Sequence, residues 1–201
     1  DMALAPCPAG LAADRDCIYL ADTGDNALAR GVFGIDILPE PTAASDGSVR
    51  VARRVHFVYP DGTADTEALA ISSEGDALLV TKGEDGASRL YTLPVSALSA
   101  NTAPDRPVVA TMVTSLSLVV DGPNNGITGA AMSPDGRTLA VRNHHAVFLL
   151  PIENPGGAPI LCEMGPVQPQ GEALDFLDAD RLILTSERIR GRAPIIRLRC
   201  P

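Results

Sequence analysis

Apolar and polar positions alternate along this chain in short runs, and the runs recur in the same order four times. "DMALAP" at 1, "EALAIS" at 67, "TGAAMS" at 128 and "EALDFL" at 172 each open a unit. A turn follows each one: "CPAGLAADRD", "SEGD", "PDGR" and "DADR". A second apolar run comes next, as "CIYLA", "ALLVT", "TLAVR" and "LILTS", and then a third, as "GVFGIDIL", "SRLYTLP", "HAVFLLP" and "APIIRLR". Fourth runs occur at "RVHFVYP", "TMVTSLSLV" and "PILCEM". A period of two, punctuated by Gly and Asp, is the signature of strands joined by tight hairpins. No segment sustains a 3.6-residue period over three turns, so no long helix is expected.

Radial repetition of a four-stranded unit is the logic of a β-propeller. The expected fold is therefore all-β, a single propeller domain with blades at about 1–60, 61–120, 121–165 and 166–201. A β-sandwich is the alternative, but the repeated hairpin starts favour blades. The last unit supplies only three runs, which raises the expectation of further blades upstream of Asp1 in a longer protein.

Composition narrows the function classes. A formal net charge of −9 leaves no basic face for nucleic acid. Trp is absent and aromatics make up 3% of the chain, so stacking platforms for bases or sugars are missing. No apolar run approaches the ~18 residues of a membrane span. The four cysteines fall as Cys7 with Cys17 and Cys162 with Cys200, without C-x-x-C spacing. That pattern points to two disulfides and hence to an extracytoplasmic setting (secreted, periplasmic or lipid-anchored).

Candidate chemistry gathers where a propeller brings strand ends together. The first strand of each blade lines the channel, so residues at its start and just past the second strand share one mouth. Glu67 stands 15 residues before Lys82 and Glu172 15 before Glu187, while Arg142 and Asn143 follow Thr128 by 14 and 15 residues in blade three. Asp22 takes the corresponding place in blade one. In "ADTGDN", Asp22, Asp25 and Asn26 offer hard oxygen ligands that suit Ca²⁺, although the same run also reads as a polar turn. Asp65 and Glu67, two apart in an extended segment, point to one side as a carboxylate pair. The adjacent His144 and His145 read as a hairpin tip. Zincin, P-loop, dinucleotide-fingerprint and nucleophile-elbow motifs are all missing.

Together "CIYLADTGDN", "YPDGTADTEALAI", "LLVTK", "ITGAAMSPDGRTLAVR" and "QGEAL…LTSE" resemble a group of bacterial β-propeller proteins that are often secreted or lipid-anchored and have no established activity. The resemblance covers nearly the whole chain. It implies a further blade or two upstream, and it places Asp22, Asp25, Asn26, Asp65, Glu67, Lys82, Arg142, Glu172 and Glu187 at motif positions. Ala131 departs from it, standing where the group tends to have Asp. The blades are more distantly similar to propeller lactonases, phytases and sugar dehydrogenases that hold Ca²⁺ at the channel mouth.

The leading expectation is a binding or scaffold module whose channel mouth takes a divalent cation, Ca²⁺, or a small polar ligand. Asp22, Asp25 and Asn26 are its metal-ligand candidates, and Lys82, Arg142, Asn143, Glu172 and Asp65 its ligand-binding ones. The alternative is a Ca²⁺-dependent lactonase or phosphoric-ester hydrolase with Glu67 or Glu187 as general base. A propeller that docks a protein partner on its outer faces is the third reading.

Overall fold

A computed structural model describes residues 1–12, 14–42, 47–83, 87–118, 126–165, 168, 170–188, 191 and 193–200. Four small antiparallel sheets stand in a ring as the blades of a β-propeller. Blade one runs β1 (Met2–Pro6), β2 (Asp16–Asp22), β3 (Phe33–Pro39) and β4 (Arg53–Val58). Blade two holds β5 (Thr66–Ile71), β6 (Ala77–Thr81), β7 (Ser88–Leu93) and, outermost, β9 (Thr111–Leu116). Between β7 and β9 lie a one-turn helix, α1 (Val95–Leu98), and β8 (Val108–Val109). Blade three is β10 (Gly129–Met132), β11 (Thr138–Arg142), β12 (Ala146–Pro151) and β13 (Ile160–Glu163). Blade four comprises β14 (Gly171–Phe176), β15 (Arg181–Ser186) and β16 (Ile196–Arg199).

Alternation and turn chemistry explain the hairpins. In the turn from β5 to β6, Gly75 takes φ +87°, and in the turn from β10 to β11 Gly136 takes φ +70°. Both values lie where a Cβ would be strained. Ser133 locks the second turn, since its hydroxyl donates to Asp135 at 2.6 Å and accepts from the Thr138 N–H at 2.9 Å. Two features went unanticipated: the helix α1, and β8, which leaves blade two to pair parallel with β4 of blade one.

Inner strands pack β1 on β5, β5 on β10 and β10 on β14, which gives three seams filled by three apolar clusters. The first is aromatic. Phe33, Phe57, Tyr59 and Tyr91 meet with ring centroids 4.8–5.8 Å apart. Edge-on and tilted pairs of this kind add about 0.5–1.5 kcal/mol each beyond burial. The third seam holds aliphatic residues with Cys162 and Cys200, whose disulfide ties β13 to the end of β16. A second disulfide, Cys7–Cys17, closes the first hairpin. Both expected pairings are therefore present.

Two register breaks shape the channel rim. The β5–β6 ladder slips between Thr66 and Ala68, and the β14–β15 ladder slips between Gly171 and Ala173. Each slip is a β-bulge, and the extra residue is a glutamate: Glu67 in blade two, Glu172 in blade four. Bulges re-aim side chains. Here both glutamates are turned to the channel mouth.

Candidate functional site

A cavity of about 720 Å³ opens at that mouth. Its polar wall comes from Glu67, Lys82, His144, Glu172 and Glu187, with Thr128 and Gln170 between them. Backbone ties set the rim, because the Lys82 N–H donates to Asp65 and the Glu187 N–H to Gln170 in matching fashion. This volume sits in the range of small-molecule pockets, about 300–1,000 Å³.

Lys82 is the hub of one side. Its ammonium donates to Glu67 at 3.1 Å and to the Asn26 amide oxygen at 3.1 Å, and it lies 3.6 Å from Asp65. Asp65 in turn accepts the Asp25 N–H at 2.6 Å. Glu67 is thus a neutralised carboxylate.

Glu172 has the opposite surroundings. Neither it nor Glu187 carries a side-chain hydrogen bond or ion pair among the described residues. Burial, then the neighbouring carboxylates of Glu67 and Glu187, push the Glu172 carboxyl above the usual range, and Arg142 and Lys82 offset this only in part. His144 is pulled down by burial and then by Arg142 and His145, so it is neutral. Its Nδ1 accepts the Gly171 N–H at 3.2 Å, which leaves the proton on Nε2.

Arg142 is not on the wall. It is fully buried under blade four, donating through Nη1 to the carbonyls of Ala173 at 3.1 Å and Thr185 at 3.2 Å. Burial lowers its pKa to about 10, still far above neutrality, and Glu172 acts in the other direction. Asn143 is buried beside it and spends its side-chain oxygen on the N–H groups of His145 and Ala146, both at 2.8 Å. The histidine pair does sit at a tight turn between β11 and β12, yet His144 also reaches blade four, a contact that sequence spacing does not reveal.

The "ADTGDN" stretch lies on the flank of the mouth, where its oxygens are engaged by the protein. Asp22 bridges Arg30 at 2.8 Å and Arg54 at 2.6 Å, and the Arg30 bond leads in holding it below the usual carboxylate range. Burial opposes charge on Asp25, but the Thr63 hydroxyl and the Ala29 and Arg30 N–H groups outweigh it and lower its pKa. Among the described residues no three His, Cys, Asp or Glu side chains come together to hold a metal ion. The mouth therefore brings together Glu67, Lys82, Glu172 and Glu187, with Asp65 and Asn26 behind Lys82. It leaves Asp22, Asp25, Arg142 and Asn143 outside.

No family model matches this sequence, and no curated protein matches it. Solved structures do resemble it. The PQQ-bound aldose sugar dehydrogenase of Streptomyces coelicolor aligns over 92% of this chain and 59% of its own, at 14% identity and a TM-score of 0.51. The β-propeller domain of Cps50 (Swd1) from Myceliophteria thermophila aligns over 96% of this chain and 52% of its own, at 14% identity and a TM-score of 0.48. The chain spans between half and three-fifths of the length of these neighbours. The first of these likenesses is one of fold alone, in keeping with the ring of blades described above, and says nothing about chemistry.

Proposed function

We propose that this propeller is a binding module whose channel mouth takes a small polar molecule bearing cationic amino groups. One observation carries the reading: Glu172 and Glu187, without a side-chain partner among the described residues, present their carboxylates to a 720 Å³ cavity whose lysine is already engaged by Glu67. An unpaired carboxylate in a half-buried site favours a cation that brings its own charge. The acidic balance of the whole chain assists, since it draws cations toward it. A ligand of several atoms suits the wall better than a lone Ca²⁺ ion, because among the described residues the carboxylates line one cavity without three of them converging on a point. The neutral His144, with its proton on Nε2, supplies a hydrogen-bond donor on the same wall.

Two disulfides support an extracytoplasmic setting, where such bonds persist. No helix among the described residues is long and apolar enough to cross a membrane.

A hydrolytic reading draws on one feature, a carboxyl raised above its usual range and a neutral imidazole on one wall, the pairing that divides acid from base work. Glu187 is the freer of the two expected bases, because Glu67 is held by Lys82.

Isothermal titration of the protein with spermidine, and separately with Ca²⁺, tests the proposal. Saturable binding of the triamine that is lost in the double variant Glu172→Gln/Glu187→Gln is expected. Tight Ca²⁺ binding without spermidine binding would overturn it in favour of a metal site. Turnover of lactone or ester substrates that vanishes in the same variant would support hydrolysis.

A further inference from the structure

We propose that Arg142 is a positioning residue for Glu172, reaching from blade three beneath blade four to fix the bulge that turns the Glu172 carboxylate into the mouth. This inference rests on the reading of the mouth as a binding site. The guanidinium lies across the third seam and bonds the carbonyls of Ala173 and Thr185. Ala173 directly follows Glu172, and Thr185 is its ladder partner across the bulge. The first residue beyond the slip is thereby clamped from below on both strands.

Gly171 makes the approach possible. A Cβ built there would stand 1.8 Å from Arg142 Nη2 and 2.6 Å from its Cζ, so no larger residue leaves room for the guanidinium. The Arg142 Nη2 atom is buried without a partner. A buried, charged donor left unsatisfied is costly, and packing alone does not account for that cost. In blade two, the equivalent bulge carries its glutamate with no arginine bonded to its strands' carbonyls among the described residues, and Lys82 meets Glu67 directly. Blade four instead keeps its cation behind the strand. There it supports the carboxylate electrostatically without occupying it.

The charged groups that face Glu172 are Glu67 from β5, Glu187 beyond β15, Lys82 beyond β6, Asp1 ahead of β1 and Arg142 from β11. His144, neutral, shares the wall. Arg142, Lys82 and the Asp1 amino group favour the ionised carboxylate; Lys82 is committed to Glu67, and burial lowers the pKa of the Asp1 amino group.

Carbon-detected NMR titration of the Glu172 carboxyl reads this directly and needs no ligand. Arg142→Met is expected to move the Glu172 titration to higher pH and to weaken spermidine binding about tenfold, as loss of an outer supporting partner does. Arg142→Lys, which keeps the charge, returns the titration toward that of the unaltered protein. Should Arg142→Met not fold, Gly171→Ala expels the guanidinium while keeping the side chain, and the same upward movement is expected. A lower melting temperature with an unmoved Glu172 titration in either variant would reduce Arg142 to a packing element and overturn the inference. A shifted titration in a protein that takes no spermidine at all would uphold the positioning role and sink the ligand reading instead.

Discussion

Glu67 and Glu172 occupy the same bulge in two blades, within the same local string E-A-L, yet the molecule gives them different work. Glu67 meets Lys82 at 3.1 Å and becomes part of the wall. Glu172 has its cation behind the backbone, no partner in front among the described residues, and a carboxyl pushed above its usual range. The lesson is that a repeated fold supplies the acid in each copy, while the placement of one neighbouring cation decides whether that acid is structural or open to a ligand. The seams below follow the same division. Under Glu67 the first seam is closed by an aromatic cluster, whereas the third, under Glu172, buries Arg142, Asn143 and Gln168 among its apolar residues.

The largest expected effect lies in the fastening of that polar third seam. Replacing Cys162 and Cys200 by Ala opens a loop closed by a bridge of sequence separation 38. Chain entropy puts the loss at about 4 kcal/mol. Urea unfolding should show it, and a shift near zero would mean that the seam does not depend on the bridge.

Arg142→Met comes next, at about 3 kcal/mol, because two buried carbonyls lose their donor together with the guanidinium. Lys82→Met, the corresponding change at Glu67, should cost about 1 kcal/mol, since that pair is partly wet. Equal costs in the two variants would erase the contrast between the sites.

Glu172→Gln is predicted to act in the opposite direction and to stabilise the protein at neutral pH. The sign follows from the raised carboxyl. On unfolding, Glu172 releases its proton more readily than in the folded state, so its ionisation lowers stability as pH climbs from the usual carboxylate range through the raised folded value. The glutamine variant lacks this decline, and melting temperatures measured across that window would reveal the difference. Glu67→Gln has no such gain, because it surrenders the Lys82 ion pair.

The smallest effect belongs to Asp22→Asn. Its two arginine partners are substantially exposed, and surface pairs of this kind contribute about 0–1 kcal/mol. A change of several kcal/mol there, or a Ca²⁺-dependent melting shift abolished by the substitution, would restore "ADTGDN" as the centre of the site.

Much of the scaffold was legible in the sequence because strands obey local rules. The alternation in "EALAIS" and "TLAVR", and the glycines of "SEGD" and "SPDGR", are complete statements within a few residues. The disulfides were legible from count and placement. Two valines were too little signal for β8, whose pairing with β4 comes from tertiary packing. The site was legible by position and not by role. The interval of 15 residues brought Glu67, Lys82, Glu172 and Glu187 to one mouth. An interval one residue shorter suggested Arg142, which the third seam draws underneath because Gly171 leaves a gap there. Asp22 and Asp25 have the composition of a cation loop, but their partners Arg54 and Thr63 stand 32 and 38 residues away, and spacing says nothing about them.

Spermidine titration of the unaltered protein beside Glu172→Gln and Glu67→Gln separates the two glutamates. Glu172→Gln is expected to abolish binding, whereas Glu67→Gln, which removes a carboxylate already satisfied by Lys82, leaves most of it. Equal loss in the two variants, or binding indifferent to both, would contradict the assignment of Glu172 as the open carboxylate of the mouth.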